Sequence, residues 1–154
     1  MTTKITGANV NTLSLGVVSG VIQTTLAAAL EKVTIRATAA TGTINYDLST
    51  QSILYYTSNA SANWTVNIRG DSGTTLNSMM ATGQSVTMTF LVTQGSTAYY
   101  NSAVTIDGSS VTPKWFGGSA PTSGNASGVD VYTYTVIKTG SAAFTVFASQ
   151  ARFA

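Results

Sequence analysis

A chain of 154 residues is long enough for one ordinary domain with its own hydrophobic core. Charged residues make up only 8% of the chain, against roughly 25% in typical soluble domains, and the formal net charge is +2. The seven Lys and Arg residues stand singly, which excludes a basic patch for nucleic acid, and no apolar run is long enough for a membrane-spanning helix.

Residues 1–31 consist largely of Gly, Asn, Thr and small apolar residues. Val21, Ile22, Leu26 and Leu30 recur at roughly helical spacing, although neighbouring Gly and Thr residues lower the helix propensity. We therefore predict an N-terminal arm, either a short helix or an extended segment, which docks on a neighbouring subunit through those four residues.

From residue 32 to residue 154 the apolar residues recur at every second position, as side chains that alternate across a strand require. The segment NWTVNIRG is the clearest case, with Trp64, Val66 and Ile68 predicted to face inward. KVTIRAT, TINYDL and QSVTMTFLVT follow the same pattern. In the last of these Leu91 interrupts the polar side, which predicts a strand that is covered on both faces.

One internal segment, GTTLNSMMATGQ, has helical character. Leu76, Met79 and Met80 would share one face of a helix over residues 73–84, and Gly83 would end it.

Four further strands are predicted in SAVTI, SVTPKWF, VDVYTYTVIKT and AAFTVFASQARF. Asp107-Gly108 favours a tight hairpin turn, and Pro113 indicates an edge or bulged strand because proline has no N–H for the ladder. About eight short strands separated by turns are typical of an all-β fold. We predict an antiparallel β-sandwich of jelly-roll or immunoglobulin-like type, since the turn spacing fits both.

The chain offers few groups for catalysis. It has no His, no Cys, one Glu and four Asp residues, and the Asp residues are scattered, whereas acid–base and nucleophilic catalysis require titratable groups held side by side. Asp107 is better explained as a turn residue and Asp71 as a turn or cap residue. We therefore expect that the chain is not an enzyme and that it binds neither a metal ion nor a cofactor.

The aromatic residues remain as candidates for binding. Adjacent residues of a strand point to opposite faces, so adjacent aromatic pairs should place one ring away from the core. Exposed aromatic area with few charges is typical of a contact surface, with ligand binding and ordinary partial exposure as the alternatives. The predicted interface residues are Tyr56, Tyr99, Tyr100, Trp115, Phe116, Tyr132, Tyr134 and Phe153.

Three segments carry a resemblance to a known family: LYYTSNASANWTVNIRGDSGTTLNSMMATGQSVTMTFLVTQGSTAYY, VTIDGSSVTPKWFGGSAPTSGNASGVDVYTYTVIKTG and AAFTVFASQARFA. Residues 33–154 resemble a β-domain of virion structural proteins from tailed phages of marine cyanobacteria. The match is most specific in the TQG-x-x-AYY, TIDGS-x-V-x-P-KW and GG-x-AP segments. The resemblance implies membership of a virion, assembled in the host cytoplasm, and supplies no active site.

Three functions are open at this stage. The first is a capsid-surface decoration or cement protein, whose partners are major capsid proteins and further copies of itself. The second is a tail, neck or fibre component, which we expect to form a symmetric trimer and to contact host glycans. The third is a carbohydrate-binding or glycan-cleaving domain outside a particle. None of the three involves nucleic acid or a membrane.

Overall fold

The computed structural model describes residue 28 and residues 30–154, and residues 31–154 form one compact unit. This unit is built from β-strands with very little helix, which confirms the predicted all-β class. The elements are β1 Val33–Ala39, β2 Gly42–Asp47, β3 Ile53–Ser58, β4 Trp64–Arg69, α1 Leu76–Met79, β5 Ser85–Thr93, β6 Asn101–Ile106, β7 Ser109–Val111, β8 Lys114–Trp115, β9 Val129–Gly140 and β10 Ala143–Phe153.

The strands form two mixed sheets. The six-stranded sheet has the order β1-β3-β5-β9-β10-β8, and the four-stranded sheet has the order β2-β4-β6-β7. Within β1-β3-β5 and within β2-β4-β6 the neighbours are parallel, and β8 is parallel to β10. Only the pairs β5-β9, β9-β10 and β6-β7 of the described sheets are antiparallel. The predicted antiparallel pairing is therefore wrong for five of the eight described strand pairs, and neither the jelly-roll nor the immunoglobulin-like type is confirmed.

The parallel pairing follows from where the chain goes after each strand. From β1 to β6, successive strands alternate between the two sheets, so strands that neighbour each other in one sheet are separated by a strand of the other. A pair of strands joined by a tight hairpin must be antiparallel, whereas a strand reached by a crossover can run parallel. At the first crossover Gly42 has a φ of 60°, a backbone conformation that glycine adopts without strain.

One hydrophobic core lies between the inner faces of the two sheets. Trp64 of the four-stranded sheet contacts Phe90 and Tyr132 of the six-stranded sheet edge to face, with ring centroids 6.0 Å and 5.8 Å apart. Such pairs add about 0.5–1.5 kcal/mol to the free energy gained from burial alone. The predicted inward direction of Trp64, Val66 and Ile68 is confirmed, because all three are buried.

Tyr132 and Tyr134 also point into this core. Both are fully buried, so the prediction that their rings are exposed is wrong. Asn101 explains how two phenols fit inside: its backbone N–H donates to the Tyr132 hydroxyl at 3.3 Å, and its Oδ1 accepts from the Tyr134 hydroxyl at 3.1 Å. A buried polar group that has such a partner avoids most of the cost of leaving water.

The predicted internal helix is a single turn, α1, so its predicted length is wrong. Asp107 holds its start, because the Asp107 carboxylate accepts hydrogen bonds from the backbone N–H groups of Leu76, at 2.7 Å, and of the next residue, at 3.0 Å. Lys138 holds its end by donating to the carbonyl of Met80 at 2.8 Å. Gly83, predicted to end the helix, lies beyond it in a separate turn.

The predicted turn at Asp107-Gly108 is confirmed. It joins the antiparallel strands β6 and β7, with φ angles of 50° and 81°. The segment SVTPKWF, by contrast, is two strands rather than one. Pro113 lies between β7, at the edge of the four-stranded sheet, and β8, at the edge of the six-stranded sheet, where its missing N–H costs no ladder bond.

Candidate interaction surface

The outer face of the six-stranded sheet carries a continuous line of apolar side chains. One residue from each of five neighbouring strands lies in register across the sheet. All five side chains are at least partly accessible to solvent, and Ile35 is 66% exposed. We call this set the apolar row: Ile35, Tyr55, Leu91, Val131 and Ala151.

The positions around the apolar row are uncharged. Because side chains alternate along a strand, every second residue of β1, β3, β5, β9 and β10 lies on this outer face. None of these outward residues is charged: the charged residues Arg36, Asp130, Lys138 and Arg152 occupy the alternate positions. A second line of residues in register runs beside the apolar row and consists of Val33, Ile53, Thr89, Thr133 and Ser149.

A groove of about 390 Å³ lies at the β8 edge of the same face. Phe147 forms part of its lining, and the ammonium group of Lys114 lies 5.7 Å from the centre of that ring, within cation–π distance. Phe116, in the short 3₁₀ turn that follows β8, is 88% exposed at the groove. The groove thus combines two accessible aromatic rings with one cation and several hydroxyl groups.

The outer face of the four-stranded sheet has the opposite chemistry. Asn67 donates from Nδ2 to Oδ1 of Asn45 at 2.8 Å, and its own Oδ1 accepts from the Thr105 hydroxyl at 2.8 Å. The same oxygen accepts from the backbone N–H of Gly108 at 2.9 Å. These polar side chains satisfy one another across β2, β4 and β6, so this face needs no partner to complete its hydrogen bonds.

An ion pair extends the polar face. Arg69 Nε lies 2.6 Å from Asp47 Oδ1, with both side chains about a quarter exposed, and the hydrogen bond to Asp47 raises the pKa of Arg69. Asp71 Oδ1 accepts from the backbone N–H of Gly73 at 2.8 Å, which lowers the pKa of Asp71 and confirms its predicted role in a turn. In residues 31–154 no three acidic side chains gather in a way that could hold a metal ion.

The remaining aspartate, Asp130 of β9, is buried against two loops. Its Oδ2 accepts from Gln94 Nε2 at 2.9 Å and from the backbone N–H of Asn125 at 3.1 Å. Gln94 in turn donates to the carbonyl of Tyr99 at 2.7 Å and accepts from its N–H at 3.0 Å. Asp130 therefore anchors the loops that precede β6 and β9, which is a structural task.

Comparison with known proteins gave no match among family models, curated proteins or solved structures. In the part of the chain that the structure describes, no helix is both long and apolar enough to cross a membrane.

The predicted interface residues have different surroundings. Phe116 and Phe153 are exposed, at 88% and 57%, and Tyr100 is half-buried. Tyr132 and Tyr134, as described above, belong to the core. An interface role for the exposed residues stays a prediction.

Three other predicted interface residues pack against the core and remain partly accessible to solvent. Trp115 lies edge to face against Tyr132 and Tyr134, with centroids 6.4 Å and 6.3 Å apart. Tyr56 packs against Phe90 at 5.6 Å, and burial raises the pKa of Tyr56. Tyr99 is partly buried against the same cluster.

Of the four predicted docking residues of the arm, one lies among the residues that the structure describes. Val21, Ile22 and Leu26 lie outside the described residues. Leu30 is described and is 99% exposed.

No residue of the apolar row is among the interface residues predicted from the sequence. The sequence predicts alternating strands at Ile35 and Val131, and the structure places both residues on the outer side of their strands. The available signal was Leu91, which stands between threonines on the outward side of β5. Its neighbours in the row, Tyr55 and Val131, could be joined to it only through the strand order.

Proposed function

We propose that this chain is a structural protein of a phage virion, most directly a capsid-surface decoration or cement protein that acts through protein–protein contacts. The apolar row is the observation that carries the proposal, because it is a solvent-accessible, uncharged line across five strands of one sheet. Contiguous apolar surface of this kind marks interaction sites. The resemblance of residues 33–154 to the virion domain of cyanophages supports the same class of protein.

A place in a virion also suits the composition. A net charge of +2 gives little electrostatic repulsion between copies, and binding to partners at high local concentration stabilises a folded protein by mass action. In this proposal the two sheets act as a sandwich that bridges neighbouring shell subunits. Residues 1–31 reach the next subunit through Val21, Ile22, Leu26 and Leu30.

Copy number in purified particles tests this function. Quantitative mass spectrometry of virions should find the chain in hundreds of copies per particle, in a fixed ratio to the major capsid protein. A chain that is absent from purified particles would contradict the proposal. A handful of copies would move it from the shell to the tail.

A tail, neck or fibre component that contacts host glycans is the second candidate, and the groove beside β8 favours it. Aromatic rings with adjacent hydroxyl and ammonium groups provide the apolar and polar contacts that a sugar requires. Replacing Phe116 by Ala should then abolish binding to host-cell glycans. Phe153→Ala is the matched control, because Phe153 is also exposed but does not line the groove.

A further inference from the structure

We infer that the partner on the apolar row is a second copy of this chain, with the two six-stranded sheets packed outer face against outer face. This inference rests on the proposed function in one respect, which is that the apolar row is a contact surface. The five strands present no charged side chain on that face, so pairing two copies brings no like charges together. A self-complementary patch is also what a two-fold dimer requires.

The sizes of the side chains along the row are complementary to their own reverse. A two-fold axis that lies in the interface, along β5 and through Leu91, reverses the row in the second copy. Ile35 then lies opposite Ala151, and Tyr55 lies opposite Val131. Larger side chains thus meet smaller ones, which allows the two sheets to approach to the usual distance of about 10 Å.

The second line of outward residues has the same property. The axis places Val33 opposite Ser149 and Ile53 opposite Thr133, while Thr89 faces its own copy. In both lines the larger apolar residues belong to β1 and β3, and the smaller or hydroxyl-bearing ones belong to β9 and β10. These two lines are therefore graded in one direction across the sheet, and a reversed copy evens out the grade. The large outward residues of β10, Phe147 and Phe153, lie in the neighbouring lines.

The available area is sufficient for a specific dimer. Five strands spaced about 4.8 Å apart, over about 25 Å of strand length, cover roughly 600 Å² per copy. Two such faces bury roughly 1,200 Å² in total, which is the lower end of the range for specific interfaces. We therefore expect a reversible dimer that dissociates on dilution.

Sedimentation equilibrium of the full-length chain tests the inference. The wild type should move from a mass of 15.9 kDa at low concentration to twice that value at high concentration. Leu91→Arg places two cations against each other at the axis, so its dimer dissociation constant should rise at least about 100-fold. Thr65→Arg is the matched control, since Thr65 is a half-buried outward residue in the middle of the other sheet, and it should dimerise like the wild type.

Cross-linking gives a second test that does not depend on a charged substitution. The chain has no cysteine, so Leu91→Cys carries a single thiol. Sheets that face each other at about 10 Å are too far apart for a direct disulfide, and a short bis-maleimide should join the two thiols near the axis. The same reagent should not cross-link Thr65→Cys, although that variant still forms the non-covalent dimer.

These outcomes separate the inference from the proposed function. A wild type that stays monomeric at all concentrations, or a Thr65→Cys variant that cross-links as efficiently as Leu91→Cys, overturns the inference. If such a monomer still enters particles and Leu91→Arg does not, the row binds another virion protein and the proposed function stands. If the wild type dimerises in solution but is absent from purified particles, the dimer inference stands and the proposed virion function is contradicted.

Discussion

The outer faces of the two sheets differ in a way that their inner faces do not. Both inner faces are apolar and share one core. On the four-stranded sheet the outside is closed by its own hydrogen bonds, with Asn67 bonded to both Asn45 and Thr105. On the six-stranded sheet the outside presents apolar side chains, such as Leu91, that have no polar groups to satisfy and that solvent still reaches.

The difference shows that alternation along a strand does not by itself define inside and outside. Both sheets obey the period of two, yet the second side of the four-stranded sheet is polar except for Ala103 of β6, whereas that of the six-stranded sheet carries the apolar row. An apolar second side loses free energy in water until another surface covers it. We therefore interpret the six-stranded sheet as the part of the domain that is completed by a partner.

The largest expected effect is that of Phe90→Ala, which is best compared with Leu91→Ala on the opposite side of β5. Phe90→Ala should lower the free energy of unfolding by about 3–5 kcal/mol, because it removes a fully buried ring. Leu91→Ala should cost less than about 1 kcal/mol in a dilute, monomeric sample, because solvent already reaches Leu91. Urea unfolding followed by tryptophan fluorescence measures both, and equal losses would contradict the assignment of the two faces.

Alkaline pH should destabilise the inner side of the domain. Burial raises the pKa of Tyr46, Tyr132 and Tyr134 above the ordinary value of 10.0, so the fold retains protons that the unfolded chain releases. Stability is then complete below about pH 10 and falls above it, by about 1.4 kcal/mol per pH unit for each tyrosine.

Urea midpoints between pH 9 and pH 11.5 measure this decline. Tyr132→Phe has one fewer phenol to protect and should show a shallower dependence. A midpoint that stays constant over this range would contradict the burial of the phenols.

Asn67→Ala should weaken the polar face. The substitution removes partners from Asn45, Thr105 and Gly108, and we expect a loss of about 1–3 kcal/mol in the free energy of unfolding. Asn45→Ala removes only one of these hydrogen bonds, at an exposed residue, and is the milder control. Dimerisation should be unchanged in both variants. A loss of dimer in Asn67→Ala would indicate that the dimer contact lies on the four-stranded sheet, against the inference.

The smallest effect is expected at the exposed ion pair. Asp47→Asn should cost less than about 1 kcal/mol, because both partners remain partly in water. The difference from wild type should vanish in about 1 M salt, where charges are screened within about 3 Å. A large difference that persists in salt would indicate that Asp47 supports the fold in another way.

Much of the local structure could be predicted from the sequence. The inward residues of β4 and β5, such as Trp64 and Phe90, follow from the period of two, and the turn at Asp107-Gly108 follows from its residue types. These features depend on neighbours in the chain, which a sequence displays directly.

Pairing and outward contacts could not be predicted in the same way. The links between successive strands look like hairpin turns, but those from β1 to β6 carry the chain into the other sheet, so the neighbours run parallel. The prediction that Tyr132 and Tyr134 face outward rests on their sharing the side of the strand opposite Val131. Only Asn101, distant in sequence, shows how their hydroxyls are satisfied in the core. The apolar row likewise exists only once the strand order is known.

Thiol labelling in purified particles tests most directly whether a partner covers the six-stranded sheet. Leu91→Cys and Thr65→Cys each carry a single thiol at a half-buried outward position, one on each sheet. We predict that a maleimide reagent labels the cysteine at position 65 at the same rate in particles and in dilute solution, whereas the cysteine at position 91 reacts far more slowly in particles. Equal rates at position 91 in the two states would contradict a contact on this face.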